Sequence, residues 1–103
     1  MPSGRLGVAN LSATTNTTVY TVPASVFAVT NVSICNRNAT SVTVRLAVAA
    51  TASPADTEWI EFGATIPGNG VLERTGIVMS TTNQLVVWAS AIGVSVVVGG
   101  IET

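Results

Sequence analysis

Apolar and polar residues alternate with a period of two along most of the chain, and this alternation predicts β-strands. Between residues 42 and 48, one face of the predicted strand holds Val42, Val44, Leu46 and Val48. The other face holds Thr43, Arg45 and Ala47, so the first set is predicted to enter the core. Valine and threonine dominate the chain, and their β-branched side chains favour a pleated surface over a helix. No segment shows the 3.6-residue period of an amphipathic helix.

Clusters of Gly, Pro, Asn and Ser divide the alternating segments into seven to nine short predicted strands. The predicted strands cover residues 6–11, 17–22, 26–35, 42–49, 57–62 with a continuation at 64–66, 71–79, 84–90 and 94–98. Residues 67–70 (PGNG) predict a β-hairpin, because Asn69 and Gly70 can both adopt positive φ in a type I′ turn. This spacing predicts an all-β fold, an antiparallel β-sandwich of jelly-roll-like or immunoglobulin-like topology.

The length of 103 residues predicts a single domain spanning residues 1–103, because a chain of this size buries one hydrophobic core. Residues 1–10 are weakly patterned, contain Gly4 and Gly7, and carry one charge at Arg5. We interpret this segment as an extended N-terminal arm that could lie on a neighbouring subunit.

Charge is scarce, and this scarcity excludes several classes of partner. Charged residues make up 9% of the chain, against about 25% in a typical domain. The chain contains no lysine or histidine, and its net charge is −1. A nucleic-acid-binding protein needs a basic face, and an anionic membrane attracts one, so neither partner is expected. A domain with so few charges also lacks the surface charge that normally keeps soluble domains from associating with one another.

Catalytic and metal-binding residues are equally scarce. Without histidine, Cys35 has no obvious general base, and its apolar strand predicts a small buried or half-buried hydrophobic residue. Strand alternation places Glu58 and Glu61 on opposite faces, which does not suit a pair of catalytic carboxylates. A calcium site at Asp56 would have too few oxygen ligands. We therefore expect no enzyme activity, no cofactor and no metal.

The predicted strand at residues 84–90 is apolar on both faces, with Val86 and Trp88 opposite Leu85 and Val87. In so small a domain this pattern predicts that another surface covers the outer face. In the strand at residues 57–62 both faces are mixed, and if Ile60 and Phe62 enter the core, Trp59 points outward. Tryptophan and arginine are enriched at interfaces, although either tryptophan could instead cap the core. The candidate interface residues are Arg5, Trp59, Glu61, Arg74, Val86 and Trp88.

The order of the predicted strands and turns in this chain resembles that of small structural proteins of tailed bacteriophages, especially those of cyanobacterial and marine phages. The resemblance rests on the acidic and aromatic strand with its Asn-Gly turn and Leu-Glu-Arg-Thr-Gly step, EWIEFGATIPGNGVLERTGIVMS at residues 58–80. It continues in the valine-rich strand GVSVVVGGIE at residues 93–102. The resemblance implies a virion protein assembled in the host cytoplasm, with no catalytic residues.

Three functions remain open on this reading. The first is a capsid decoration (cement) protein that forms a homo-oligomer, with a trimer favoured, on a shell of major capsid protein. The second is a tail, neck, baseplate or fibre component that contacts other virion proteins. The third is a carbohydrate-binding β-sandwich module in which Trp59 and Tyr20 stack on sugar rings.

Overall fold

A computed structural model describes residues 3–103 and shows eight β-strands with one short 3-10 helix at Asp56–Glu58. The strands are β1 (Ser3–Asn10), β2 (Thr17–Thr21), β3 (Ala28–Asn36), β4 (Val42–Ala49), β5 (Trp59–Ile66), β6 (Val71–Met79), β7 (Gln84–Ala89) and β8 (Val94–Glu102). The predicted bounds of β4 and β6 are confirmed. β8 extends four residues beyond its predicted end at Val98, because Gly99 and Gly100 continue the ladder with β3.

The strands form two four-stranded antiparallel sheets that pack face to face, which confirms the predicted β-sandwich. Sheet I has the order β1-β8-β3-β6, and sheet II has the order β2-β7-β4-β5. Along the chain, the first strand pairs with the last, and the pairing continues towards the middle of the sequence: β1 with β8, β2 with β7, β3 with β6, and β4 with β5. The pairs β1–β8 and β3–β6 lie in sheet I, and the pairs β2–β7 and β4–β5 lie in sheet II. This is the pairing of one long antiparallel ribbon rolled over itself, so the topology is a jelly roll.

The core lies between the two sheets and is built from the inward faces that alternation predicts. Val42, Val44 and Leu46 of β4 are buried, as expected, whereas Val48 is only partly buried and Ala47, predicted to face outward, is fully buried on the outer face of its sheet. Val96 and Val98 of β8 are buried as well. Thr30, at the centre of β3, is buried too and satisfies its hydroxyl by donating to the Ile77 carbonyl oxygen. Each buried aliphatic side chain stabilises the fold by about 1.5–3 kcal/mol relative to exposure.

The predicted hairpin at residues 67–70 is wrong, because this turn connects strands of different sheets. β5 lies in sheet II and β6 in sheet I, so the chain crosses the sandwich here. Only Asn69 has positive φ, at 59°, and Gly70 donates its backbone N–H to the Pro67 carbonyl oxygen at 2.9 Å. A Cβ at Gly68 would lie 2.1 Å from the Ala39 carbonyl oxygen, so the turn is pressed against the β3–β4 connection.

Asn36, at the end of β3, holds this crossing in place. Its buried side-chain amide donates to the carbonyl oxygens of Thr40, Ile66 and Pro67, and its Oδ1 accepts the Asn38 N–H. One side chain therefore ties the β3–β4 connection to the β5–β6 connection, and both connections cross between the sheets.

Two β-bulges interrupt β5 and change its faces. The ladder with β4 leaves Ile60 and Gly63 without partners, and Gly63 has a φ of +84°. As a result, Trp59 and Phe62 lie on the same outward face with their rings in contact. Simple alternation had placed these two residues on opposite faces, and it fails because each bulge inserts one residue into the two-residue period.

The proposed N-terminal arm is a strand of the chain's own sheet over its described part. Residues 3–10 form β1 and pair with β8, from Ser3 opposite Ile101 to Asn10 opposite Ser95. Met1 and Pro2 lie outside the described residues. The backbone of β1 completes the edge of sheet I, so this segment does not project from the domain.

Candidate interaction surfaces

The outer face of sheet II is centred on Arg45, which stacks between two aromatic rings. Its guanidinium carbon lies 4.2 Å from the ring centroid of Phe62 and 4.1 Å from that of Trp88. Both rings come from residues opposite Arg45 in the neighbouring strands, so the ladder itself aligns the stack. Each such cation–π contact contributes about 0.5–1 kcal/mol at a partly exposed site.

Trp59 covers the rest of this outer face. The ring packs on Ala47, Ala49 and Val86, which are all fully buried although they point away from the core between the sheets. Trp59 also makes an edge-to-face contact with Phe62, with ring centroids 5.4 Å apart. The apolar outer side of β7 is therefore covered at Val86 by a ring of the same chain.

The outer face of sheet I has no comparable cover. Val29 of β3 lies between Ile101 of β8 and Val78 of β6, and these three side chains form an apolar row across the sheet. They are 41%, 56% and 69% exposed, respectively. A second exposed apolar pair, Val8 and Val97, lies further along the same face.

We call these residues, together with Phe27, the valine face. Phe27 immediately precedes β3, has the same outward phase as Val29 and is 51% exposed. The remaining outward positions around it include the small or neutral residues Gly99, Asn31 and Ser33. Exposed apolar side chains are ordinary when scattered, whereas a contiguous patch on one face marks an interaction surface.

Among residues 3–103, three charged residues adjoin the valine face: two lie on its edge strands, and the third, Arg37, lies at one end, where its guanidinium donates to the Asn10 side chain of β1. Arg5 is on β1 and Glu73 is on β6, and both are exposed. Arg5 pairs with Gly99, and Glu73 pairs with Ser33, which places Glu73 two residues further along the sheet. The centre of the face is uncharged.

Glu61 and Arg74 form a salt bridge between the two sheets. Glu61 is on the edge strand β5 of sheet II, and Arg74 is on the edge strand β6 of sheet I. Their side chains are 23% and 41% exposed, so solvent screens much of the attraction. The ion pair links the two sheets at the side of the sandwich where the edge strands β5 and β6 lie.

A buried polar pair links the sheets near the other side. Tyr20 of β2 donates its hydroxyl to the carboxylate of Glu102 at the end of β8, and both residues are almost fully buried. Burial, the hydrogen bond to Glu102 and the negative charge of that carboxylate together raise the pKa of Tyr20 well above its usual range. Tyr20 is therefore a structural residue and presents no ring to a ligand.

A depression of about 390 Å³ opens beside the Arg45 stack and is lined by Asp56, Trp59 and Phe62. Across residues 3–103, no group of three His, Cys, Asp or Glu residues is placed to hold a metal ion. Cys35 is half-buried and unpaired, as its strand predicts. None of the helices in this part of the chain is long and apolar enough to cross a membrane.

The structure distributes the six candidate interface residues over three regions. Trp59, Trp88 and Val86 lie together on sheet II, where Trp59 buries Val86 and Trp88 stacks on Arg45. Glu61 and Arg74 pair with each other at the sandwich edge, and Arg5 adjoins the valine face.

Sequence reasoning missed most of the valine face. Its residues come from four strands, and in each strand the outward positions include both apolar and polar residues. No single strand therefore shows a run of apolar outward positions. The signal that could have found them is the coincidence of outward apolar positions in adjacent strands, which requires the strand order.

No protein-family model and no curated protein matches this chain. A comparison with solved structures finds a chain of the "Cyanophage Pam1 capsid asymmetric unit". The superposition covers 96% of this chain and 86% of that chain, with 13% sequence identity and a TM-score of 0.41. This similarity is too low to establish a common fold.

Proposed function

We propose that the protein is a structural component of a phage virion, and specifically a capsid decoration protein that binds a shell of major capsid protein. The observation that carries the proposal is the valine face, an exposed apolar surface of sheet I whose two rows flank Gly99 and Asn31: Val29, Ile101 and Val78 in one row, and Val8 and Val97 in the other. The resemblance of the sequence to small phage structural proteins supports the same assignment.

The valine face suits a protein that functions in an assembly. A soluble monomer normally keeps its surface charged and interrupts its apolar patches. Here the side chains of the face are exposed valine, isoleucine and phenylalanine, and the whole chain has only nine charged residues. Covering such a face contributes about 25 cal/mol for each Å² of apolar surface removed from water. Jelly rolls occur in viral capsid proteins but also in lectins, so the fold alone does not decide the function.

A tail, neck, baseplate or fibre component remains the closest alternative, because the same apolar face would serve in those assemblies. The two locations differ in copy number. A decoration protein is present in hundreds of copies per particle, whereas a tail component is present in six, twelve or a few tens.

The carbohydrate-binding alternative loses one of its two proposed rings, because Tyr20 is buried against Glu102. Trp59 still borders an open depression with Phe62, but the two ring planes are inclined by 70° and do not form a flat sugar-stacking platform. A glycan-array screen should therefore give no hits, and a specific hit abolished by Trp59→Ala would revive this alternative.

The decisive experiment examines particles of the phage whose genome encodes this chain. We expect quantitative mass spectrometry of purified virions to find hundreds of copies and cryo-EM to show the jelly roll on the outside of the shell. Density in the tail, with a few tens of copies or fewer, would select the alternative location. Absence of the chain from purified virions would overturn a structural role altogether.

A further inference from the structure

We propose that the valine face binds a second copy of the same chain, face to face, about a twofold axis that runs along the strands. This inference deepens the proposed function by naming the partner of that surface. It rests on three features of sheet I: its uncovered apolar centre, its area and the opposite charges on its two edges.

The centre of the face is suited to sheet-on-sheet contact. Val29, Val97 and Ile101 lie on the two middle strands, β3 and β8, and remain exposed although both strands are fully hydrogen-bonded to neighbours. Gly99 and Ser33 lie beside them and leave room for the side chains of an opposing sheet. Two sheets packed in this way lie about 10 Å apart with their side chains interdigitated.

The area of the face is sufficient for a specific, weak dimer. Four strands spaced about 4.8 Å apart and about nine residues long cover roughly 500 Å² in projection. Two such faces therefore bury about 1,000 Å² in total, which is the lower limit for a specific interface. A single sheet face could hold two copies together without any contribution from sheet II.

The charges on the edges select the orientation. A twofold axis along the strands stacks β1 of one copy on β6 of the other, so that Arg5 and Glu73 meet across the interface twice. They are offset by two residues, or about 7 Å along the strand, which two long side chains can span. A twofold axis across the strands would instead stack β1 on β1 and β6 on β6, bringing like charges together at each edge.

The apolar part of the proposal is tested by sedimentation velocity of the purified full chain over about 1–500 μM, a range that brackets a weak dimer. We expect a concentration-dependent dimer. The double variant Val97→Thr/Ile101→Thr keeps β-branched side chains on the strands and should weaken dimerisation at least tenfold. The control Ile92→Thr replaces a still more exposed apolar side chain in the β7–β8 loop and should leave the dimer unchanged.

The orientation is tested by exchanging the charges. Arg5→Glu and Glu73→Arg should each weaken the dimer about fivefold or more, because each places like charges at both ends of the interface. The double variant Arg5→Glu/Glu73→Arg restores the opposite charges and should recover the dimer to within about twofold of the original. Circular dichroism of each variant establishes that it is folded, so loss of the dimer is separated from loss of the fold.

Three results would overturn the inference: a monomer at every concentration, a trimer, or a dimer that the charge exchange does not rescue. A monomer in solution that is nonetheless abundant in virions would assign the valine face to the shell protein and leave the proposed function standing. A valine-face dimer from a chain absent from virions would overturn the proposed function and leave this inference standing.

Discussion

The two outer faces of the sandwich are built from the same kinds of strand, yet only one of them is covered by its own chain. On sheet II, Trp59, Phe62 and Trp88 close over Ala47, Val86 and the guanidinium of Arg45. On sheet I, Val29, Val78 and Ile101 form an exposed row that no ring or other side chain described among residues 4–103 covers. The difference shows that an apolar outer position identifies an interface only when nothing within the chain covers it.

The comparison predicts that Trp59 is more important for folding than for assembly. Trp59→Ala uncovers a buried apolar cluster and should lower the free energy of unfolding by about 2–3 kcal/mol, below the usual range for a fully buried tryptophan because the ring is half-buried. This reverses the role that the sequence assigned to Trp59 as an interface residue. Urea denaturation at a fixed low concentration measures the effect.

The matched substitution on the other face should have a much smaller effect on folding. Val97→Thr/Ile101→Thr should change the free energy of unfolding of the isolated chain by about 0.5 kcal/mol or less per site. Equal losses of stability for the Trp59 variant and for this pair would break the comparison between the faces.

The buried pair between the sheets predicts loss of stability at alkaline pH. Because the pKa of Tyr20 is raised in the folded chain, only the unfolded chain releases this proton as the pH passes its usual value of about 10. Its contribution is fully present below that pH and is then lost at up to about 1.4 kcal/mol per pH unit until the folded pKa is reached. Because Tyr20 links the two sheets, the unfolding at alkaline pH should disrupt the outer faces of both sheets together.

Tyr20 is the only tyrosine in the chain, so its ionisation can be followed directly by ultraviolet absorbance. The folded protein should show no tyrosinate at pH 10.5 (roughly half a unit above the usual pKa), and tyrosinate should appear together with unfolding. Ordinary titration of the folded chain near pH 10 would show that the Tyr20–Glu102 pair is open to solvent.

A substitution at the Gly63 bulge of β5 should change the outer face of sheet II and leave the outer face of sheet I unchanged. Gly63→Ala introduces a side chain into open space but at a φ of +84°, so it should cost about 1 kcal/mol through backbone strain alone. The cost should be accompanied by a change in tryptophan fluorescence, because Phe62 shifts relative to Trp59. Dimerisation through sheet I should be unaffected, and a weaker dimer would show that the two faces are coupled.

A further small effect concerns the salt bridge at the sandwich edge. Arg74→Gln should lower the free energy of unfolding by about 0.2–1 kcal/mol, and 1 M salt should remove most of the difference. Glu61→Gln is the matched variant, and the double variant should cost no more than either single change. Additive losses would show that the two side chains stabilise the fold independently.

The sequence was sufficient for the class of fold and for most strands, because two-residue alternation is strong in β4, β6 and β8. It failed in β5, where the bulges at Ile60 and Gly63 reverse the phase of the alternation within four residues. It also failed at Pro67–Gly70, because the local residues indicate a tight turn but contain no information about which sheet the next strand joins.

The candidate surface was harder to predict than the fold. Charge scarcity and the two-sided apolar pattern of β7 directed attention to Val86 and Trp88 on sheet II, where Trp59 of the same chain covers Val86. Phe62 joins Trp59 on the outer face only because a bulge turns it outward, and the row of Val29, Val78 and Ile101 exists only once β8 is inserted between β1 and β3. Both features depend on long-range pairing.

The insertion of β8 has a consequence for how the molecule is made. Ser3 pairs with Ile101, so the middle of sheet I forms only when the last strand joins strands synthesised much earlier. Closing so long a loop before its contacts form is a slow step in folding. Sheet I therefore stays incomplete until the residues of β8 have been synthesised and have paired with β1 and β3. The surface most prone to association is thus among the last parts of the sandwich to form.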